Sequence, residues 1–433
     1  MNRPYLTRYS QALRNLLGSK HLTERGRETK HCQRLRDVTP QRLVCALVEA
    51  LGAQGVETII DIQRTFNAVT GLSTRYKAFY NRLAKPEFRV FMQQVYSDIL
   101  RRLSQNILRP AAGSKLTRFT DVLLQDGSSF AVHDALKEIF GGRFTKVRPA
   151  AVELHTCMSV FRDQEIRTAV APDKDGERAF LPDPKGLKGK LLLTDRGYWD
   201  LAYFEQVHEA GGFFLARGKA DLNPTVLQVR GPRGCYRRFA NRPLQEILPK
   251  LPRRRLDLIV EWDRSGGRKF RVRLILIWNG ATKEYMILGT NVPRSVLSSR
   301  QVERMYHLRW QIELVFKEWK SYANLHEFQS ANPALVEGLI WASLCAAALK
   351  RSLAHASQCT GSKLPISTRI VAMCGAHILP PLTRCALRGF RCLETVLEKI
   401  FRYLWENAPR AHPVRDQRRG RMQFGLEYVG FES

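Results

Sequence analysis

A chain of 433 residues is too long for one ordinary core, and its 44% hydrophobic content excludes a disordered polymer. Lysine and arginine number 70 against 40 acids, a net charge of +30. That surplus points to a polyanionic partner, nucleic acid first, with a basic ribosome-associated or membrane-surface protein as the plainer reading.

Taken in chain order, residues 1–112 read as helical, with apolar residues at helical spacing such as Leu43, Leu47 and Leu51, then Phe88, Phe91 and Val95. Gly52, Gly55 and Gly71 supply turn signals. The stretch 61–82 resembles helix, turn, helix, its second helix carrying Arg75, Lys77 and Arg82 toward a DNA groove; the plainer reading is a solvated basic face. The pattern then becomes β-like. Residues 119–126 read as a buried strand ending in Asp126, with Gly127 leaving room for a phosphate or metal. Residues 150–161 and 164–172 read as a hairpin, 189–195 as a strand delivering Asp195, 202–208 as a helix and 212–217 as a further strand. Residues 219–295 form a basic, β-rich insertion with hairpin turns at Ser265-Gly-Gly and Asn279-Gly. Residues 331–433 read as helical, with a basic tail over 410–421.

The nine cysteines form no CxxC pair and fit reduced thiols in a cytoplasm. No signal-peptide pattern is visible at the start, and the apolar stretch 339–349 is too short to span a bilayer. The expectation is a soluble, cytoplasmic protein that makes no membrane contact.

The most informative segment lies near residue 310. On an ideal helix Tyr306, Arg309, Glu313 and Lys320 fall within about 60° of one another, beside an apolar stripe of Met305, Leu308, Ile312, Phe316 and Trp319. Alone, this is equally an ordinary surface helix with an Arg–Glu pair. Asp126 and Asp195, each read as following an apolar strand, change the balance, because three carboxylates on separate rigid elements can hold two Mg²⁺ ions through oxygen ligands. Asp121 and Asp200 compete for these roles. His155 reads as a sheet histidine, Lys317 as a possible backbone contact, and Trp278 and Tyr285 as sheet packing or as a wall for an expelled base.

Asp126-Gly127-Ser128, Thr194-Asp195-Arg196-Gly197-Tyr198 and the Tyr306, Arg309, Glu313, Lys320 spacing together resemble the DDE transposases of bacterial insertion sequences. The branch is the insertion-sequence-four family, marked by a Tyr-Arg-Glu-Lys signature. The resemblance covers roughly residues 20–330. It implies an α/β fold: an RNase H-like catalytic core (113–330) with the β-rich insertion, flanked by a helical DNA-binding domain (1–112) and a helical C-terminal region (331–433). It further implies Mg²⁺, or Mn²⁺ as a substitute, held by Asp126, Asp195 and Glu313. Tyr306, Arg309 and Lys320 would grip a DNA end, and cutting and joining would pass through a hairpin. The implied partners are double-stranded DNA (terminal inverted repeats and target) and a second copy in a homodimer, associated with the bacterial nucleoid when bound to DNA. Two rivals remain open: an inactive or domesticated end-binding relative, and a stand-alone metal-dependent nuclease.

Overall fold

The computed structural model describes residues 1–53, 56–325, 328, 330–411 and 425–429. Gly55 and most of the basic tail read over 410–421 lie outside the described residues.

Six helices open the chain: α1 (Arg3–Leu17), α2 (Ser19–Glu28), α3 (Pro40–Gly52), α4 (Ile59–Thr70), α5 (Tyr76–Leu83) and α6 (Pro86–Leu103). Local chemistry sets their ends. Thr58 and Asp61 form a reciprocal capping box at the start of α4, and Gly71 ends it in the left-handed region at φ +71, which a residue with a Cβ rarely adopts. Next come β1 (Leu108–Pro110), β2 (Val122–Ala131), β3 (Ala151–Ser159), β4 (Gln164–Pro172), β5 (Leu191–Thr194), α7 (Leu201–Glu209) and β6 (Phe213–Arg217). The insertion supplies β7 (Thr225–Gly231), β8 (Gly234–Cys235), β9 (Arg242–Pro243), α8 (Leu244–Ile247), β10 (Leu256–Asp263), β11 (Lys269–Asn279) and β12 (Glu284–Thr290). There follow α9 (Ser299–Tyr306), α10 (Trp310–Tyr322), α11 (Pro333–Cys359), α12 (Thr368–Met373), α13 (Gly375–Leu387), α14 (Leu393–Asn407) and β13 (Leu426–Tyr428), which pairs with β1.

One sheet organises the molecule. Its order is β4-β3-β2-β5-β6-β12-β11-β10-β7-β8, with β9 beside β7. β2, β5 and β6 run parallel at the centre, and β3 and β4 continue antiparallel from β2. This is the mixed α/β, RNase H-like core that the motifs imply. The insertion is not a separate sheet: β12 pairs antiparallel with β6 and extends the core sheet outward.

Alternation along β2 sorts the two faces. Val122 and Leu124 join a core shared with α1, α3, α6, α10 and α11, whereas Leu123 joins a second core with α7 and the insertion strands. The apolar stretch near residue 340 belongs to the 27-residue α11, so the length argument against a membrane span does not hold. Burial decides instead. The helix is long and apolar enough to cross a bilayer, with mean hydropathy 1.4 in its most apolar window, but 89% of that window is buried within the protein.

α6 and α11 pack so closely that a Cβ on Gly338 would stand 2.2 Å from the Phe88 ring. Alanine there would gain about 1 kcal/mol of helix propensity, but overpacking a dense core costs about 1–3 kcal/mol. Gly338→Ala is therefore expected to lower the calorimetric melting temperature by a few degrees. An unchanged value would show that the two helices part without cost.

Candidate active site

β2 does not end at Asp126, as the sequence pattern suggested. Its ladder with β3 continues through Ser128, Ser129 and Phe130 to Ala131, so Asp126 projects from mid-strand. Asp195 does follow its strand, immediately after β5, and opens a 3₁₀ turn. The segment carrying Tyr306 to Lys320 is likewise not one helix. α9 ends at Tyr306, His307–Arg309 tightens into a 3₁₀ turn, and α10 begins at Trp310. The apolar stripe from Met305 to Trp319 is nevertheless buried throughout.

These elements bring the three acids together around two donors. The Arg309 guanidinium bridges Asp126 and Glu313, donating from Nη1 to the first and from Nη2 to Glu313 Oε1 at 2.6 Å. Tyr306 donates its phenol to Asp195 Oδ1 at 2.9 Å, and Arg217, at the end of β6, stands 3.9 Å from the same oxygen. Lys320 turns the other way along β2, donating to the Ser129 carbonyl at 2.8 Å. Burial pushes the Asp126 carboxyl up to about 6. Arg309 and the Gly127 amide pull it down, whereas Asp195 and Glu313 add to the rise, so the three carboxylates sense one another. Burial opposes the Arg309 charge, but Asp126 and its neighbours outweigh it and raise the guanidinium further. Burial, then Asp195, raises the Tyr306 phenol. Arg309 Nε is buried without a hydrogen-bond partner among the described residues.

Gly127 makes room, but not for a phosphate or metal on the Asp126 side. A Cβ there would lie 2.3 Å from Glu153 Oε1. Glu153 and His155 occupy the opposite face of the sheet. His155 lies opposite Gly127 in the ladder, shares a hydrogen bond of 3.0 Å with the Tyr198 hydroxyl and stacks on Phe180 at 3.8 Å. Asp121 accepts from Ser159 and the Val122 amide, and Asp200 caps α7, so both competing acids serve local structure.

The remaining residues scatter. Lys77 and Arg82 sit five positions apart on α5, about 140° around it, so they share no face. Arg75 precedes the helix and is exposed, as is Lys77, whereas Arg82 reaches back to the His31 carbonyl. Lys317 lies over the Trp310 ring at 4.9 Å. Trp278 and Tyr285 pack edge to face across β11 and β12 at 5.0 Å, with Arg253 over Trp278. Sequence reasoning missed Arg217; the rule that singled out Asp195, a charged residue closing an apolar strand, also finds it.

A profile of the family described as Transposase DDE domain matches residues 117–349. The chain belongs to this family. It is 21% identical to the transposase for insertion sequence element IS231F of Bacillus thuringiensis subsp. israelensis, covering 93% of this chain and 92% of that one. It is 42% identical over 65 residues to the putative transposase InsL for IS186A of Escherichia coli K12, 15% of this chain and 18% of that one. A chain from a piggyBac transposase synaptic complex with hairpin DNA aligns at TM-score 0.48 and 11% identity, over 93% of this chain and 86% of that one. Membership makes the protein a DNA-acting polynucleotidyl transferase of a class that uses divalent metal ions.

The site suits such ions by its donor set: hard carboxylate oxygens, one of them strongly desolvated. Among the described residues no three acidic, histidine or cysteine groups converge at ligating distance, and Arg309 spans the space between Asp126 and Glu313.

The raised Asp126 pKa fixes a sign. An acid whose folded-state pKa lies above its unfolded value near 3.9 destabilises the fold progressively as pH rises from about 4 to 6, and fully above that. Asp126→Asn removes this pH-dependent cost while also unpairing Arg309, a loss present at every pH. The melting temperature of the variant relative to the parent is therefore expected to rise between pH 4.5 and 7.5, by a few degrees in a fluorimetric scan, whatever the constant offset. A difference that falls over that interval would contradict the assignment.

Proposed function

We propose that this protein cuts the ends of an insertion sequence and joins them to target DNA. The observation that carries this reading is the convergence of Asp126, Asp195 and Glu313, from two strands and a helix, around Arg309 and Tyr306. Asp126, Asp195 and Glu313 would hold Mg²⁺, or Mn²⁺ as a substitute. When bound, these ions would activate the attacking oxygen and stabilise the leaving one. Arg309 has the donors for this work: a planar fork that matches phosphate oxygens, with Nε unengaged. Tyr306 and Lys320 each offer one more donor, and together the three would hold the terminal 5′ phosphate. The phosphate would take over the bonds that Arg309 now makes to Asp126 and Glu313, freeing those carboxylates.

Hydrolysis would release a 3′-hydroxyl, its attack on the opposite strand would make a hairpin, and the opened end would then join target DNA. Two ends must be held together, so a homodimer on DNA is the expected assembly. The helical N-terminal region (1–112), with exposed Arg75 and Lys77, would bind the terminal inverted repeats, and the C-terminal region would contribute to pairing the two copies. This work belongs in the bacterial cytoplasm, on the nucleoid.

Glu313→Ala, assayed on a duplex bearing the inverted repeat that flanks this reading frame, is expected to lower Mg²⁺-dependent cleavage by at least about a thousandfold, the scale of lost metal-assisted charge stabilisation. Binding in a gel-shift assay should stay within about threefold, since DNA affinity comes from cations on phosphates and an acid adds none of those contacts. Undiminished cleavage would sink the assignment of Glu313. Nicks with no hairpin or joined product would favour a plain nuclease.

A further inference from the structure

The connection between β2 and β3 ends in a tip that the chemistry above leaves unused. Residues 143–148 read Arg-Phe-Thr-Lys-Val-Arg, with no acid among them. Phe144 is 68% exposed and Val147 80%, and such side chains are normally withdrawn from water.

The tip is held in this exposed position. The Val147 and Arg148 amides both donate to the Phe144 carbonyl, at 3.0 and 2.8 Å, closing a tight turn. Its stem is pinned by Gly142 N–H to the Pro149 carbonyl at 3.0 Å and by Ala151 N–H to the Phe140 carbonyl at 2.9 Å. The Arg143 amide donates to Asp173 Oδ2 at 2.9 Å, and the Lys174 amide to the Gly141 carbonyl at 3.0 Å. The two sides of the stem lie so close that a Cβ on Gly142 would stand 2.0 Å from the Arg148 carbonyl oxygen. Phe140, two residues earlier, is buried, so the stem is anchored while the tip projects.

Its location is informative. Arg148 lies near enough to Lys320 to add, after burial, to the lowering of that ammonium's pKa. Lys320 in turn is tied to Ser129, three residues along β2 from Asp126, or about 10 Å. Lys146 and Arg148 are exposed, and among the described residues neither has a carboxylate partner. An apolar pair flanked by cations without a carboxylate partner, on a loop whose Arg148 lies near Lys320, matches the chemistry of a bent duplex: an apolar stack inside and phosphates outside.

We propose that the Phe144–Val147 tip is a wedge that enters the base stack beside the cut phosphate, while Lys146 and Arg148 hold the flanking backbone. The proposal rests on the transposase reading for the identity of the DNA. Apolar side chains inserted between base pairs unstack and kink a duplex, and an end that must fold into a hairpin needs such a distortion. Because the turn is already formed, no ordering of the loop opposes insertion.

The test uses the full chain, the flanking inverted repeat as a duplex, and 2-aminopurine at its terminal base pairs. Wild-type protein should raise the 2-aminopurine fluorescence several-fold. The double variant Phe144→Ser, Val147→Ser, which changes only exposed side chains and should melt at the wild-type temperature, should leave it near the free-duplex value. Its cleavage of the paired duplex should fall about tenfold, the effect of one lost stacking contact. On a duplex with unpaired terminal bases it should return to the wild-type rate. Equal fluorescence in wild type and variant would overturn the proposal. So would a cleavage loss that unpaired bases do not restore. A change of oligomeric state in light scattering with fluorescence retained would also overturn it, assigning the tip to a contact between copies. Since fluorescence needs no cutting and can be read on the Glu313→Ala protein, a chain that never cuts would refute the transposase reading while the wedge is still decided by the fluorescence.

Discussion

Arg309 carries a fixed charge into a largely water-excluded position, and it is tolerated there because Asp126 and Glu313 accept from both ends of its fork. Removing one partner of such a buried pair typically costs about 3–5 kcal/mol because it strands the other charge, so the positions of β2 and of the start of α10 depend on one another. The same geometry keeps two carboxylates from repelling each other in a low-dielectric pocket. Tyr306 and Arg217 do the corresponding service for Asp195. The acid cluster exists as a folded feature because cations and a phenol stand among the acids.

That arrangement holds only if α10 stays in register with the sheet, and a second buried network ensures it. Glu318, on the face of α10 away from the site, accepts from Arg351 of α11 at 2.6 Å and from Thr368 of α12 at 2.9 Å. Arg351 also donates to the Asp163 carbonyl at 2.5 Å, in the turn between β3 and β4. The insertion fixes the other end. Arg273 of β11 binds Asp257 of β10 and donates to the Leu297 carbonyl at 2.6 Å, just before the Ser298 capping box that starts α9. Neither network touches the acids, yet between them they set where Tyr306, Arg309 and Glu313 point.

Much of this could be read from the chain. The glycine turn signals, the 3.6-residue stripe and the apolar runs before the acids located the helices and the strands, and named acids that the fold brings near one another, because each reports a local rule. What escaped was non-local. Nothing local to residues 119–126 announces that β2 continues past Asp126; Ser128 and Ser129 look like turn residues and become strand only because β3 offers a ladder. The tightening at His307–Arg309 is hidden because every residue there is an acceptable helix former, and the register of Arg309 against Asp126 is set by tertiary contact. Gly127 was read as space for a ligand, when the space belongs to Glu153 from the neighbouring strand. The α5 cations show a simpler limit: a basic count over a segment does not say which face each charge takes, and only the fold shows that Arg75 and Lys77 are exposed while Arg82 turns back to the His31 carbonyl.

Charge completes the argument. Several buried acids are committed internally: Asp98 to Arg25 and Arg101, Asp257 to Arg273 and Arg294, Glu261 to Lys269 and Arg271. Each of these three acids holds two cations and so keeps a net +1 within its own cluster; most of the +30 surplus is left for other side chains and attracts phosphate over much of the surface. A long-range field of this kind cannot select one phosphodiester among many. Selection requires a place where the attraction is locally interrupted, and in the proposed reaction the three acids would provide it: a backbone approaching Asp126, Asp195 and Glu313 would be repelled unless cations stood between. On that reading the residues that would allow so close an approach, Arg309 above all, would decide which bond is reached.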